Sequence, residues 1–282
     1  MLQIEIGDLV TRKSYNNDIN FILVDIRENY AILIGAEYRL IADSPLNDLD
    51  YAQIRDDNSV NESFDKETRG NLFSNWYKPQ TVIRSESSDS SGTTTILSST
   101  KCGIVLHIDG DPFYLDRCLA QYEKLGVTAV GVSIKENKQP SAILDLLKQH
   151  KPNILVITGH DSLKKNANNI MDINDYKNSK YFVESVKISR EYNPNYDELI
   201  IIAGGCKSHY EALMQAGANF ASSPDRILIN ITDPVLVASK FASTSIKNYL
   251  ESDTIAKELL SGFGGIGGIE TRGQCREVKP IF

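Results

Sequence analysis

The sequence predicts an α/β protein: a parallel sheet with helices on both faces, preceded by a small antiparallel β unit. Two observations carry the parallel sheet. The runs Ile154-Leu155-Val156-Ile157-Thr158-Gly159 and Leu199-Ile200-Ile201-Ile202-Ala203-Gly204 are short, apolar, rich in β-branched residues and closed by glycine. A strand covered on both faces has that composition. From Cys102 onward, strand-length and helix-length segments then alternate regularly, as in successive β-α-β units. The third observation concerns the first 50 residues, where short alternating segments are separated by turn chemistry at Asn16-Asn17-Asp18 and Gly35.

Taken in order, Asn20–Val24, Tyr30–Leu33 and Tyr38–Ile41 read as strands of an SH3-like β-barrel over residues 1–50. Residues 51–100 include the run Ser85-Glu86-Ser87-Ser88-Asp89-Ser90-Ser91-Gly92, too polar to bury, and are expected to form a flexible linker. Residues 101–282 form the larger domain. Its expected strands are Gly103–Ile108, Thr128–Ile134, Ile154–Thr158, Leu199–Ala203 and Asn219–Ser223. Its expected helices are Phe113–Leu125 (entered through Pro112, a residue suited to a first helical turn), Ala142–Gln149, Lys180–Tyr192 and Ser208–Gln215. Five strands with four intervening helices make a three-layer α/β/α parallel sheet. Pro234–Ser243 and Thr254–Leu260 are expected helices, and the glycine-rich stretch Gly262–Gly273 a mobile or substrate-facing loop.

Composition narrows the function. The 282 residues are 41% hydrophobic and 24% charged, with a net charge of -7. That is the profile of a soluble globular protein, and its charge argues against broad nucleic-acid binding. The N-terminus lacks the basic and apolar regions of a secretory signal, and no apolar run approaches the roughly 20 residues of a membrane span. The four cysteines show no CxxC pair, so reduced thiols in a cytoplasmic setting are expected. No His/Cys/Asp cluster has metal-ligand spacing, and Gly264–Gly268 lacks the strand and Lys-Ser/Thr of a phosphate loop. No metal or cofactor is expected.

Two reactive side chains follow the glycine-closed strands: His160 after Gly159 and Cys206 after Gly205. A right-handed crossover places both strand ends on one sheet edge, where open α/β sheets carry their sites. A thiol beside an imidazole is an activated nucleophile, since the base generates the attacking thiolate. Cys206 is therefore the candidate nucleophile and His160 the candidate general base. His209, one helical turn past Cys206, is a competing base. The oxyanion would be held by the Cys206 N–H with one from the turn Gly159–Asp161, and Gly205 lets the backbones approach closely. Asp161, Asp109 and Asp111 stand at strand ends on the same edge. Asp161 is open to orienting His160, lining a pocket for a basic side chain or capping the following loop, and Asp109 and Asp111 to an acidic pocket for arginine, cation binding or plain turns. Cys102, Cys118 and Cys275 have no basic partner and default to structural thiols. A flavodoxin-like binding domain, suggested by Asp109 and Asp111, is a rival reading.

Four stretches carry a resemblance: Thr158-Gly159-His160-Asp161, Ala203-Gly204-Gly205-Cys206-Lys207-Ser208-His209, Ala216–Pro224 and Gly267–Gly273. With the opening Ile6–Tyr15, they resemble the YabG family, sporulation-specific proteases of endospore-forming bacteria, over the whole chain except the linker. The resemblance implies a cysteine endopeptidase that processes spore coat and cortex-associated precursors in the mother cell. It implies cleavage after arginine and self-processing. A non-catalytic spore-coat assembly protein is the alternative from another class. The larger domain also resembles the caspase, gingipain and legumain arrangement, a histidine ending one strand and a cysteine ending the next. That clan has His-Gly and Ala-Cys where this chain has His160-Asp161 and Gly205-Cys206.

Overall fold

A computed structural model describes residues 4–52, 81–83 and 100–277. The chain divides into two compact units, Met1–Pro79 and Gln80–Phe282.

In the first unit, β1 (Leu9–Arg12), β2 (Phe21–Arg27), β3 (Tyr30–Gly35), β4 (Ile41–Pro45) and β5 (Leu49–Tyr51) form an antiparallel sheet. Its strand order is β4-β3-β2-β1-β5. Val10, Phe21, Leu23, Ala31, Leu33 and Leu49 form its core, because alternate side chains of paired strands share a face. Tyr38–Ile41 was expected as a strand, but residues 37–40 turn the chain, with the Gly35 N–H donating to the Leu40 carbonyl at 2.7 Å. The strand begins only at Ile41.

The second unit is built on a seven-stranded mixed sheet. Its strands are β6 (Thr81–Ile83), β8 (Val105–Asp109), β9 (Ala129–Ser133), β10 (Ile154–Thr158), β11 (Ile200–Ala203), β12 (Phe220–Ser222) and β14 (Ile266–Gly268). The two-residue strands β7 (Thr100–Lys101) and β16 (Arg276–Glu277) pair with each other, as do β13 (Tyr249–Leu250) and β15 (Thr271–Arg272). The order β14-β12-β11-β10-β8-β9-β6 puts five parallel strands at the centre. The antiparallel edge strands β6 and β14 were not foreseen. β6, Thr100 of β7 and Tyr51 of β5 fall in the stretch 51–100 expected as linker; residues 53–80 and 84–99 of it lie outside the described residues.

Six helices complete the unit: α1 (Pro112–Lys124), α2 (Gln139–His150), α3 (Ser179–Tyr192), α4 (Tyr210–Gln215), α5 (Asp233–Ser243) and α6 (Ser252–Ala256). Every residue of β8, β10 and β11 is buried, which is why β10 and β11 read as apolar runs, while β8 buries His107 and Asp109 as well. Their side chains alternate between two cores. Val105, Ile154, Val156, Ile200 and Ile202 pack with Leu115 and Leu119 of α1 and Val235 and Phe241 of α5. Leu106, Ile108, Leu155, Ile157 and Ile201 pack with Ile143 of α2, Phe182 and Val186 of α3 and Leu213 of α4. Each fully buried aliphatic side chain stabilises the fold by about 1.5–3 kcal/mol, so a charge at Val156 or Ile202 would break it.

The glycine-rich stretch 262–273 is not the loop that was expected. It holds a short 3₁₀ turn and strands β14 and β15. A Cβ at Gly268 would strike the Phe220 ring and the Asn219 carbonyl, so glycine there permits close strand packing.

Candidate active site

The carboxyl ends of β8, β9, β10 and β11 deliver the candidate residues to one edge. β10 lies between β8 and β11, with Thr158 opposite Asp109 and Ile157 opposite Ala203. His160 and Cys206 therefore each follow a register pair by three residues.

His160 Nε2 lies 2.8 Å from Asp111 Oδ2. Asp111 is the N-cap of α1, its Oδ1 accepting from the Phe113 N–H at 3.0 Å, so the helix entrance fixes the carboxylate that orients the imidazole. The Asp111 side chain is 1% exposed and that of His160 26%. The edge of Tyr114 packs on the imidazole, ring centroids 5.6 Å apart. Burial disfavours the charged imidazole. The hydrogen bond to Asp111 and the charges of Asp111, Glu136 and Asp109 outweigh it, so the His160 pKa stands above its ordinary 6.5.

Glu136 completes this corner. Its Oε1 accepts the His160 N–H at 2.7 Å. The carboxylate fills the space beside Gly110 and Gly159, where a Cβ on either residue would collide with it. Oε2 of Glu136 takes no hydrogen bond among the described residues.

Cys206 sits on the neighbouring turn. Gly204 adopts φ +110, a conformation open chiefly to glycine. Gly205 presses against the Gly159 carbonyl and near the Asp161 N–H, where a side chain would clash. The sulfur is 1% exposed. The Ile229 N–H donates to it at 3.5 Å, and the thiol reaches the Ile229 carbonyl at 3.8 Å. The segment 224–231 thus covers the sulfur, and the imidazole and the thiol are not hydrogen-bonded to each other. Arg226 anchors this cover through the Tyr176 hydroxyl at 2.8 Å, the Ser223 and Pro224 carbonyls, and Glu211.

Asp161 braces the two turns. Its carboxylate accepts from the N–H groups of Ser162 (2.9 Å) and Asn178 (2.8 Å) and from the hydroxyls of Ser179 and Ser208. Ser208 Oγ accepts the Gly205 N–H at 2.9 Å, so a two-bond relay ties the histidine turn to the cysteine turn. Burial pushes the Asp161 pKa up despite the hydrogen bonds from Ser179, Asn178, Ser208 and Ser162.

These partners redistribute the roles expected from sequence. Asp161 and Asp109 were candidates for a basic pocket, but both carboxylates are buried and bonded within the protein. Asp109 accepts from the Asp111 N–H at 2.9 Å and from the Thr158 hydroxyl at 2.6 Å. The third candidate, Asp111, is paired with His160. Of the oxyanion donors, the His160 N–H is taken by Glu136 and the Gly205 N–H by Ser208, while the Asp161 N–H has no acceptor among the described residues. His209 is 4% exposed and caps α4; its Nε2 lies 3.0 Å from the Met171 carbonyl and its Nδ1 3.2 Å from Glu211. The roles of Glu136, Ser208 and Ile229 were not foreseen; Ser208 stands inside the stretch Ala203–His209 quoted above, while nothing in the local sequence of Glu136 or Ile229 marks them. Among the described residues, no group of three His, Cys, Asp or Glu could hold a metal ion, and no helix is long and apolar enough to cross a membrane.

A family model described as YabG peptidase U57 matches residues 5–280. The sporulation-specific protease YabG of Bacillus subtilis (strain 168) is 39% identical over 288 residues, covering 99% of this chain and 99% of that protein. No solved structure matches the chain.

Proposed function

This chain belongs to the YabG peptidase U57 family and is a peptidase, and from that premise we propose a cysteine endopeptidase of sporulation with Cys206 as nucleophile and His160 as base. The observation that carries the reading is the His160–Asp111 pair at 2.8 Å, whose histidine follows the strand neighbouring the one that leads to Cys206. A carboxylate on one ring nitrogen fixes the imidazole and favours its charged form, which a thiolate partner needs. Nδ1 of His160, which has no partner among the described residues, is the proton acceptor.

The chemistry runs in two halves. Substrate displaces the Ile229 segment. The Cys206 thiol passes its proton to His160, and the thiolate attacks the scissile carbonyl. The N–H groups of Asp161 and Cys206 hold the oxyanion; losing one such donor typically costs about 100- to 1,000-fold in rate. The imidazolium then protonates the leaving amine and an acyl-enzyme remains. Water, giving its proton to His160, attacks the thioester carbonyl. The C–S bond breaks, the carboxylic acid product leaves, and the Cys206 thiolate takes the proton back from the imidazolium.

In this reading the larger unit is a caspase-like α/β/α domain over residues 101–282, extended at its sheet edge by β6 from the stretch 51–100, with an SH3-like barrel over 1–50. The substrates are spore coat and cortex-associated precursors, cut after arginine in the mother cell. With Asp109, Asp111 and Asp161 committed elsewhere, Glu136 Oε2 is the carboxylate oxygen left to meet the arginine head group. Incubating wild-type protein and Cys206→Ala with a coat-protein precursor, then sequencing the new N-termini, tests the reading. Cuts after arginine by wild type alone support it; identical cuts by the variant overturn it.

A further inference from the structure

We propose that Cys102 and Cys275 are a site of reversible disulfide formation that ties the C-terminal segment to the start of the central sheet. Two independent observations carry this. The sulfurs lie 2.8 Å apart across 173 positions of sequence. The backbone also places the residues as cross-strand partners: β7 and β16 pair Lys101 with Arg276 and Thr100 with Glu277, so the next rung joins Cys102 to Cys275.

The rung is of the right kind. In an antiparallel ladder the N–H and C=O of one residue point to the same side. At Cys275 both point away from Cys102: the N–H donates to the Thr244 carbonyl at 2.8 Å, and the carbonyl accepts the Ile246 N–H at 3.0 Å. Cys102 and Cys275 thus form a non-hydrogen-bonded pair, whose Cα atoms stand about 4.5 Å apart. That spacing falls inside the range a disulfide needs, about 4.4–6.8 Å.

The end of α5 holds both sides in place. The last carbonyls of a helix lack intrahelical donors. Here the Phe241 carbonyl accepts from Gln274 at 2.8 Å and the Ala242 carbonyl from Gly103 at 3.2 Å. Closing the bond therefore needs no rearrangement of backbone.

The two thiols also differ in access. Cys102 is exposed and Cys275 is 8% exposed. With a low-molecular-weight disulfide as oxidant, the Cys102 thiolate attacks one of its sulfurs, forming a mixed disulfide and expelling one thiolate. The Cys275 thiolate then attacks the Cys102 sulfur, forming the protein S–S bond and expelling the second thiolate. The oxidant gains the two electrons and the two protons that the protein thiols lose. Cys118 and Cys206 are 0% and 1% exposed and lie outside this exchange.

The test uses the full-length protein and reads no protease activity, so it stands apart from the assignment of Cys206. Folded protein is treated with oxidised glutathione, digested without reduction and mapped by mass spectrometry. The expected product joins the Cys102 and Cys275 peptides and is two hydrogens lighter than their sum. Thiols titrated after denaturation fall from four to two, and the melting temperature rises on the order of 10 °C, reversed by dithiothreitol. Cys275→Ser should instead stop at a glutathione adduct on Cys102. Four remaining thiols, an uncyclised adduct on wild-type Cys102, or a bond involving Cys118 or Cys206 would each overturn the proposal.

Discussion

His160 Nε2 and Asp111 Oδ2, 2.8 Å apart, join the ends of two neighbouring parallel strands 49 positions apart in sequence. The contact exists because β8 lies beside β10 and because Asp111 caps the helix that follows β8. One carboxylate therefore starts a helix with Oδ1 and orients an imidazole with Oδ2.

Asp111→Asn keeps the cap, since asparagine caps as well as aspartate, and removes the charge. The raised His160 pKa should fall, moving the limb of kcat/KM that reports His160 to lower pH, with a loss of about 100-fold at the optimum. Stability follows the same sign. The pair contributes fully below the unfolded histidine pKa and is lost as pH rises through the higher folded value. Melting curves of wild type should therefore drop across that window, and those of Asp111→Asn should drop less. Equal slopes would show that the pair does not titrate as described.

Asp161→Asn tests the brace. Its carboxylate meets four internal donors and no free edge. Replacing it should destabilise the protein by about 3 kcal/mol while leaving the ratio of arginine to lysine cleavage unchanged. A selective loss on arginine peptides would restore Asp161 to the specificity pocket.

Glu136→Gln keeps an acceptor for the His160 N–H and removes the charge at Oε2. Arginine peptides should lose about 100-fold in kcat/KM and lysine peptides less, because a lysine ammonium is a flexible point charge that depends less on one fixed oxygen than the planar guanidinium fork does. Equal efficiency of variant and wild type on arginine peptides would place the pocket elsewhere.

Arg226→Ala removes the anchor of the segment covering Cys206. Local opening should become easier, and iodoacetamide should label Cys206 about 10-fold faster than in wild type. An unchanged labelling rate would mean that the segment opens without releasing Arg226.

The central strands were legible because full burial leaves a continuous apolar run, as in Ile154–Thr158 and Ile200–Ala203. Strand order was not, since nothing in the chain states that β8 neighbours β10. For that reason Asp111 read as pocket or turn and not as the partner of His160. The edge strand β14 escaped because Gly268 serves a close approach to Phe220 and Asn219 and Gly267 one to Tyr210, while glycine runs otherwise signal loops. Burial of the Cys206 sulfur under Ile229 depends on a contact across 23 positions, with no local pattern to announce it.

The assignment of His160 as the base for Cys206 is tested most directly by single-turnover cleavage of an arginine peptide. Four folded proteins are compared: wild type, Cys206→Ala, His160→Ala and His209→Ala. The account predicts that Cys206→Ala and His160→Ala each lose at least about 1,000-fold with circular dichroism unchanged, while His209→Ala keeps its chemical step. Activity retained in His160→Ala and lost in His209→Ala would contradict it.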